Sequence, residues 1–368
     1  MPRSFLQENV ASALLFALLL FFSPSDAVRS FPAGVGWFAE APQFRNGDAC
    51  PASPSHGGAT TCDSAHVHIA MTLDSHYLRG SVGAVFSILK HASCPESLFF
   101  HFVASAGPSS SDLHRTVRSV FPSLRFKIYP FQEKLVRGLI SASVREALEN
   151  PLNYARNYLA DLLEPCVERV IYLDSDVIVV DDIRRLWDTG LPEPAVIAAP
   201  EYCHANFTRY FTEEFWESWD GQRVFYGRRR PPCYFNTGVM VMDLARWRAG
   251  EYRQKIEHWM KVQRMRRIYD LGSLPPFLLV FAGDVEGVEH RWNQHGLGGD
   301  NLSGNCRPLH PGPVSLMHWS GKGKPWARLD AGKPCPLDHL WAPYDLYLPP
   351  PSSSVSDSES SAVTVVSL

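Results

Sequence analysis

The chain has 368 residues, of which 45% are hydrophobic and 20% are charged. This length and balance favour two lobes or one large α/β domain with a sizeable core, and they exclude a fibre and a multispanning membrane protein. The formal net charge of -3 at pH 7 gives no global reason to expect binding to nucleic acid or to an anionic membrane.

An apolar run near the N-terminus predicts a targeting segment. Residues 10–22 contain only one polar side chain, Ser12. Such a run suits the core of a signal peptide better than a bilayer span, which needs about 20 residues. Small residues at 25–27 predict cleavage after Ala27, which makes 1–27 a signal peptide; a short uncleaved type II anchor is the alternative. In both cases the rest of the chain is expected in the lumen of the secretory pathway.

The cysteines agree with this compartment. All 8 lie beyond the leader, and an even number in a secretory context permits disulfides. No pair has the C-x-x-C spacing that zinc sites use. Spacing does not fix the pairing: Cys50 and Cys62 flank a loop that they could close, and some of the others could be buried free thiols. Sequons at Asn206 and Asn301 predict N-glycosylation.

Composition divides the remainder of the chain into three parts. Residues 28–64 are rich in proline, glycine, alanine and serine, so we predict a stem there. Residues 349–368 form a serine-rich tail with little to bury, and we predict that this tail is disordered. The folded domain is therefore expected to occupy residues 65–348.

Within this domain, short β-rich runs alternate with helical patterns. In chain order, strands are predicted at 66–73, 98–104, 125–129, 169–173 and 235–242. Helices are predicted at 82–89, 112–120, 153–163 and 246–266, with Asn153 as a helix N-cap. The alternation predicts an α/β fold with a mostly parallel sheet covered on both faces. Ligands of such sheets bind beyond the carboxyl ends of the strands.

Two carboxylates follow the strand predicted at 169–173. Asp174 and Asp176 stand two residues apart, so both project to one side of an extended chain and can reach one divalent cation. Most isolated D-x-D sequences are solvated turns. Here apolar residues flank the pair on both sides, and unpaired carboxylates beside a core are costly unless a metal binds them. We therefore predict a metal site.

A second polar cluster begins at His318, which follows an apolar run at 314–317. Two glycines and two lysines come next, among them Gly321 and Lys324. Glycines allow backbone N–H groups to approach an anion, and lysines add positive charge. This combination suits a diphosphate that already holds a divalent metal. A structural histidine followed by an exposed basic turn is the alternative.

Together the two motifs resemble glycosyltransferase family eight: D-S-D at 174–176 after an apolar strand, and H-x-x-G-x-x-K-P-W at 318–326. The resemblance covers roughly residues 65–348 and implies a retaining, metal-dependent enzyme with the nucleotide-diphospho-sugar transferase (GT-A) fold. Three further stretches resemble the plant galacturonosyltransferase-like branch, which is associated with pectin and other wall polysaccharides: 153–159, 271–277 and 291–298.

The resemblance also implies roles for individual residues. Those that would bind Mn²⁺ are Asp174, Asp176 and His318. Those that would contact the uracil and ribose of a UDP-sugar are Thr72, Asp74 and Tyr77, and those that would bind its diphosphate are Gly321 and Lys324. The residues that would act at the donor sugar are Arg156 and Asn236. Together with Lys324 they form the expected catalytic set. The non-functional alternatives are a core position for Tyr77, a strand bulge for Asn236 and a surface charge for Arg156.

The activity implied by the resemblance is transfer of a hexosyl group, galacturonosyl from UDP-galacturonate, to pectin in the Golgi apparatus. Other wall-synthesis glycosyltransferases are expected as partners, nucleic acid is not, and a membrane is expected only through an uncleaved N-terminal segment. The alternatives are a xylan-related acceptor, another UDP-sugar, a non-catalytic UDP-sugar-binding partner of a wall-synthesis complex, and a glycoside hydrolase with paired carboxylates.

One departure from the family pattern concerns the β-face of the donor sugar, where bacterial members carry acidic and amide side chains. Residues 271–274 have none, although Asp270 is adjacent, so a covalent glycosyl-enzyme is not expected. A galacturonate donor also needs a partner for its carboxylate. The sequence leaves three candidates open: Arg156, Arg291 and Lys322.

Overall fold

In a computed structural model of the protein, the described residues are 38–50, 61–107, 109–142, 146–299 and 306–348. The predicted signal peptide, the serine-rich tail and the sequon at Asn301 lie outside them. Within these ranges no helix combines the length and the apolarity needed to cross a bilayer.

The secondary structure of the described residues alternates between strands and helices. The strands are β1 (Val67–Thr72), β2 (Leu98–Ser105), β3 (Phe126–Phe131), β4 (Arg169–Leu173), β5 (Val177–Val179), β6 (Ile197–Tyr202), β7 (Tyr234–Phe235), β8 (Val239–Asp243), β9 (Glu286–Val288) and β10 (Leu316–His318). The α-helices are α1 (Leu78–His91), α2 (Ser109–Val120), α3 (Lys134–Arg137), α4 (Leu159–Leu162), α5 (Ile183–Trp187), α6 (Glu213–Glu217), α7 (Trp219–Arg223), α8 (Leu244–Ala249), α9 (Tyr252–Met265), α10 (Leu274–Phe281) and α11 (Pro325–Asp330). Short 3-10 helices are Pro95–Ser97, Glu146–Glu149, Pro151–Tyr158, Phe207–Tyr210, His290–Trp292, Pro336–Leu340 and Ala342–Tyr344.

One sheet of eight strands carries the fold, in the order β3-β2-β1-β4-β8-β6-β7, with β9 also paired to β6. Strands β3, β2, β1 and β4 are parallel neighbours. Strand β8 is antiparallel to both β4 and β6, so β6 runs in the same direction as β4, and β9 is parallel to β6. The carboxyl ends of β1, β4, β6 and β9 therefore lie along one edge of the sheet, here called the front edge.

Apolar side chains on both faces of the sheet form two cores. In β4, Ile171 and Leu173 lie in the core on one face, whereas Val170 and Tyr172 lie in the core on the other. Helix α1 packs against the first face, and α9 and α10 pack against the second. Burial on both faces explains why the β4 sequence is almost continuously apolar. The predicted α/β class, with helices on both faces, is confirmed.

The helix predicted to begin at Asn153 begins earlier. Asn150 is the N-cap, and its side chain accepts the backbone N–H of Leu152. Residues 151–158 form a 3-10 helix, which continues into α4. Proline at the first helical position favours this start, because proline has no N–H and its φ already suits a helix. The prediction of Asn153 as the cap is therefore wrong.

The long basic helix predicted at 246–266 is two helices. Gly250 caps the end of α8, and Glu251 has a φ of 52° before α9 begins. A non-glycine residue in the left-handed region interrupts the helical hydrogen bonds and redirects the chain. The apolar spacing of the two helices had concealed this break.

Disulfides join distant parts of the chain. The pairs are Cys50–Cys94, Cys62–Cys166, Cys203–Cys233 and Cys306–Cys335. Cys50 and Cys62, whose pairing the sequence left open, are not bonded to each other, and no described cysteine is a free thiol. Each of these two residues pairs instead with a cysteine brought close by the fold, which spacing along the chain does not reveal.

Part of the stretch predicted as a stem lies against the domain. Phe38 forms a β-bridge with Tyr347, and the backbone N–H of Ala39 donates to Leu346 O at 2.8 Å. These contacts tie the segment 38–50 to the last described residues. Within the described ranges, the folded body therefore extends N-terminally of residue 65.

The described sequon lies on the surface. Asn206 is exposed, and its side-chain oxygen accepts the backbone N–H of Thr208, which caps the short 3-10 helix that follows. This geometry leaves the amide nitrogen of Asn206 accessible. Glycosylation at Asn206 stays a prediction.

Candidate active site

The loop after β4 holds the two aspartates at the front edge. Asp174 donates its backbone N–H to Gly238 O at 2.8 Å, just before β8. Ser175, which lies between the aspartates, donates its hydroxyl to Thr72 O at 3.0 Å, at the end of β1. The loop is therefore fixed to the strands on both sides, at the place where open α/β sheets bind ligands.

A separate two-stranded sheet brings the distant histidine to this loop. Strand β5 directly follows Asp176 and pairs antiparallel with β10, which places His318 opposite Val177. The backbone N–H of Trp319 then donates to Asp176 O at 2.9 Å. The end of β10 is thus fastened directly to the aspartate loop.

Asp174, Asp176 and His318 converge around one point. Their potential ligand atoms all lie within 4.8 Å of one another. His318 Nε2 is 3.2 Å from Asp176 Oδ1 and 3.8 Å from Asp174 Oδ2. Carboxylate and imidazole ligands together suit a divalent metal such as manganese. The structure thus brings together the three residues that the sequence predicted as metal ligands.

Two observations indicate that this pocket fits a cation. His318 is 1% exposed, and its Nε2 has no hydrogen-bond partner among the described residues, since the contact with Asp176 is an ion-pair approach rather than an aligned hydrogen bond. The other ring nitrogen, Nδ1, donates to Asn293 Oδ1 at 2.9 Å, so the Nε2 lone pair is left to bind a metal. In addition, a Cβ on Gly238 would lie 2.4 Å from His318 Cε1 and 2.5 Å from Asp174 Oδ2.

Arg156 is buried behind Asp174. Its guanidinium lies 3.2 Å from Asp174 Oδ1 and donates to Thr237 O at 2.8 Å. It also lies over the ring of Tyr172, whose hydroxyl donates to the same carboxylate oxygen at 2.9 Å. Burial lowers the pKa of Arg156, but Asp174 acts together with Tyr172 and Asp176 to outweigh burial, and the net shift is upward. Arg156 is therefore no surface charge, and it orients a candidate metal ligand.

Lys324 contacts the second aspartate. Its Nζ donates to Asp176 Oδ2 at 2.5 Å and to Trp319 O at 2.9 Å. Burial raises the pKa of Asp176, but its contacts with Lys324 and His318 outweigh burial and hold this pKa below its ordinary value. Asp176 is therefore ionised at neutral pH, as a metal ligand must be.

The residues predicted to contact a nucleoside lie beside this lysine. Thr72 ends β1, and Asp74 follows it; Asp74 Oδ1 accepts the backbone N–H of Tyr77 at 2.9 Å. The Tyr77 ring packs edge-on against Trp326 at 6.1 Å, and Lys324 Nζ lies 5.6 Å from its centre. The front edge thus presents an aromatic ring and a carboxylate next to the positive charge of Lys324.

Asn236 and Gly321 shape the backbone around the site. The strand predicted at 235–242 is interrupted here, because β7 ends and β8 begins on either side of a turn. Asn236 Oδ1 accepts the N–H of Gly238 at 2.9 Å, which closes that turn. Gly321 has a φ of 117°, which side-chain-bearing residues rarely adopt. Both residues therefore stand where the chain must bend near the candidate metal ligands.

A comparison with known protein families identifies the family of this chain. The family model described as "Glycosyl transferase family 8" matches residues 68–330, a range that contains all three candidate metal ligands. The chain belongs to glycosyl transferase family 8. It is a glycosyltransferase, and the family predicted from the two motifs is confirmed.

Curated relatives place it in a plant branch of family 8. "Probable galacturonosyltransferase-like 9" of Arabidopsis thaliana is 60% identical over 356 residues, which are 92% of this chain and 91% of that protein. "Probable galacturonosyltransferase-like 8" of the same plant is 64% identical over 321 residues, or 85% of this chain and 81% of that protein. The predicted galacturonosyltransferase-like branch is confirmed.

Solved structures confirm the GT-A fold. The galactosyltransferase LgtC, crystallised with donor and acceptor sugar analogues, matches with a TM-score of 0.59 at 20% identity, over 77% of this chain and 98% of that one. The glycosyltransferase GlyE of Streptococcus pneumoniae matches with a TM-score of 0.52 at 18% identity, over 76% of this chain and 60% of that one. At these identities the likeness concerns the fold alone.

The three basic residues considered for a donor carboxylate do not gather at this family 8 site. Arg156 faces Asp174. Arg291 pairs with Asp181 at 2.7 Å, beyond the end of β5 that lies away from the metal ligands. Lys322 is exposed. Nothing in these positions singles out a carboxylate partner.

Two residues of the site were missed by the sequence interpretation. Asn293 fixes the proton on His318, and Gly238 lets the backbone approach the ligands. Asn293 lies within the branch-specific stretch 291–298, and Gly238 follows an asparagine by two residues, a spacing typical of a side-chain-closed turn. These two sequence features could have indicated that Asn293 and Gly238 belong to the site.

Proposed function

We propose that this chain is a retaining, Mn²⁺-dependent transferase that moves a galacturonosyl group from UDP-galacturonate to a plant cell-wall polysaccharide such as pectin, in the Golgi lumen. The observation that carries the proposal is the meeting of Asp174, Asp176 and His318 beside Lys324 at the front edge. The names of the Arabidopsis relatives support the choice of sugar.

The proposed metal site consists of Asp174, Asp176 and His318. A bound Mn²⁺ would supply positive charge that stabilises the charge developing on the diphosphate. Asn293 holds the His318 ring with Nε2 toward the aspartates, and Arg156 holds Asp174. Supporting contacts of this kind fix ligand geometry before any substrate arrives.

The proposed donor site surrounds that pocket. Lys324 and the backbone at Gly321 would bind the diphosphate and stabilise it as the bond to the sugar breaks. The residues that would contact uracil and ribose are Thr72, Asp74 and Tyr77. Asn236 would hydrogen-bond a hydroxyl of the donor sugar.

We propose that transfer occurs with retention, on the face from which UDP leaves. The departing phosphate would accept the proton of the acceptor hydroxyl, so no protein base is required. Asp270, the carboxylate nearest in sequence to the 271–274 stretch, pairs with Arg267 at 2.8 Å. This pairing supports a mechanism without a covalent glycosyl-enzyme.

The metal claim is tested by substitution. Asp174→Ala and His318→Ala should each lower turnover by orders of magnitude and weaken Mn²⁺ binding in calorimetry, because each removes a ligand. Asp270→Ala and His339→Ala are matched controls away from the ligand cluster, and both should keep Mn²⁺ affinity. Near-normal turnover in either ligand variant would end the metal proposal.

The substrate claim is tested by a panel. The purified protein with Mn²⁺ is offered a series of UDP-sugars and defined pectic and xylan oligosaccharides, and product linkage and anomeric configuration are determined by NMR. The proposal expects an α-linked galacturonosyl product and UDP release that depends on acceptor. Transfer only to xylan oligosaccharides would contradict the pectic assignment, and UDP binding without any turnover would favour a non-catalytic partner.

A further inference from the structure

A cavity of about 430 Å³ opens at the front edge, beside the proposed metal site. Its walls include Tyr202, at the end of β6, and His290, just after β9, so both come from strands that end at the front edge. Asn293 also lines it and links it to the metal site through His318. Its size lies within the range of about 300–1,000 Å³ that is typical of ligand pockets.

The walls of this cavity are fixed. Tyr202 OH donates to Asn293 O at 2.8 Å, and the Tyr202 ring stacks on His290 with centroids 4.9 Å apart. On the opposite wall, the backbone N–H of His310 donates to Gln294 Oε1 at 2.7 Å. A preformed cavity of this kind needs little ordering to bind a ligand.

Two polar groups of the lining lack a hydrogen-bond acceptor among the described residues. Asn293 is 1% exposed, and its Nδ2 has no hydrogen-bond partner in the described part of the chain. A buried donor without an acceptor costs about 1–3 kcal/mol, which a ligand oxygen would recover. Arg291 adds a guanidinium that uses Nε for Ser315 and Nη2 for Asp181 but has no acceptor for Nη1 among the described residues.

The charge balance favours an anionic ligand. Arg291 is a permanent cation that keeps Nη1 available beside its ion pair with Asp181, and the ring of His310 lies at the mouth. Among the described lining residues the one carboxylate is Glu289, which is exposed, and Asp181 lies behind Arg291 as its ion-pair partner. The Nη1 group of Arg291 can donate a charge-assisted hydrogen bond to a carboxylate, and such bonds are stronger than those to a neutral hydroxyl, so a sugar acid fits these walls better than a neutral sugar.

The position of the cavity sets which sugar it would hold. Strand β6 is separated from β4 by β8 alone, which is about 10 Å across the sheet. A sugar held at the ends of β6 and β9 would therefore lie beyond the sugar that reacts beside Asp174. We propose that this cavity, lined by Tyr202, His290, Arg291, Asn293 and His310, binds a uronate unit of the acceptor chain remote from the reacting hydroxyl. This inference rests on the proposed function, because it presumes a polymeric acceptor.

A steric block tests the cavity without touching the metal site. Pro311 lines the cavity and is exposed, so Pro311→Trp would fill the mouth. Pro308 is also exposed and is not a lining residue, so Pro308→Trp is the matched control. Binding of a homogalacturonan oligosaccharide is measured by calorimetry, and UDP binding with Mn²⁺ is measured alongside. Pro311→Trp should weaken oligosaccharide binding at least about tenfold and leave UDP affinity unchanged.

A charge variant tests the ligand class. Arg291→Gln should weaken binding of the oligosaccharide by about ten- to a hundredfold and remove its preference over the methyl-esterified form, since a charged hydrogen bond is lost. Arg291→Lys should keep part of that preference. Unchanged binding in a folded Pro311→Trp protein would overturn the site, and equal binding of esterified and free oligosaccharides by the unmodified protein would overturn the uronate assignment.

The two proposals fail in different ways. Oligosaccharide binding that Pro311→Trp abolishes, in a protein that transfers no sugar from UDP-galacturonate, would support the cavity and defeat the proposed function. Transfer to pectic oligosaccharides with an acceptor KM that Pro311→Trp leaves unchanged would support the proposed function and defeat the cavity.

Discussion

Gly238→Ala would add one methyl group where the turn before β8 meets two proposed metal ligands. The new Cβ would lie 2.4 Å from His318 Cε1 and 2.5 Å from Asp174 Oδ2. Non-bonded carbons in contact stand about 3.5–4.0 Å apart, so the imidazole must retreat by about 1 Å. Metal sites tolerate only about 0.2 Å in ligand distance, and a misplacement of about 1 Å at a reacting centre costs about a hundredfold. We therefore expect weaker Mn²⁺ binding and about a hundredfold lower turnover.

The assay pairs calorimetric Mn²⁺ titration with the rate of UDP release. Gly190→Ala is the control, because a Cβ there meets nothing within 4 Å. Circular dichroism and the melting temperature show whether the Gly238→Ala protein is folded. A folded Gly238→Ala protein with the Mn²⁺ affinity and turnover of the parent would refute the reasoning that the backbone and the ligands leave no space for a side chain.

Two further outcomes are expected. Asn293→Ala removes the acceptor of His318 Nδ1–H and should lower Mn²⁺ affinity about 10–100-fold in calorimetry, and an unchanged affinity would show that this contact does not orient the ring. The second concerns stability: burial lowers the pKa of His68 to about 4 and that of His101 to about 3, so both rings are neutral in the folded protein. Burial of the neutral rings stabilises the fold fully above about pH 6.5, and this stabilisation is lost as the pH falls toward the folded-state pKa values. Between pH 8 and pH 5, protonation linked to His68 alone should lower the free energy of unfolding by about 2 kcal/mol. Urea titrations that show no loss over this range would contradict the prediction.

The two carboxylate ligands were predictable from sequence, because a buried strand followed directly by two carboxylates is costly unless a metal binds them. Asp174 and Asp176 follow β4 directly, and their chemistry is local. Their meeting with His318 depends on the pairing of β5 with β10, and neither three-residue strand carries a pattern that names its partner. Sequence therefore indicated the residues, and the resemblance to a family supplied their convergence.

Other features were hidden because they depend on contacts between distant segments. The partners of Cys50 and Cys62 are brought close by the fold. Arg156 sits on a helical turn whose sequence does not reveal that the guanidinium is buried against Asp174. The break at Gly250 escaped notice because the apolar spacing continues across it. Local patterns fix element types well and long-range contacts poorly.

The bridge between Phe38 and Tyr347 determines how the domain can be handled and anchored. Because these two residues are adjacent, a tether fastened at residue 38 and a tag fastened at residue 348 leave the protein at the same place. Immobilising the enzyme at either position therefore presents the same side to the surrounding solution. A fluorophore pair attached at the two positions would report separation of these two segments.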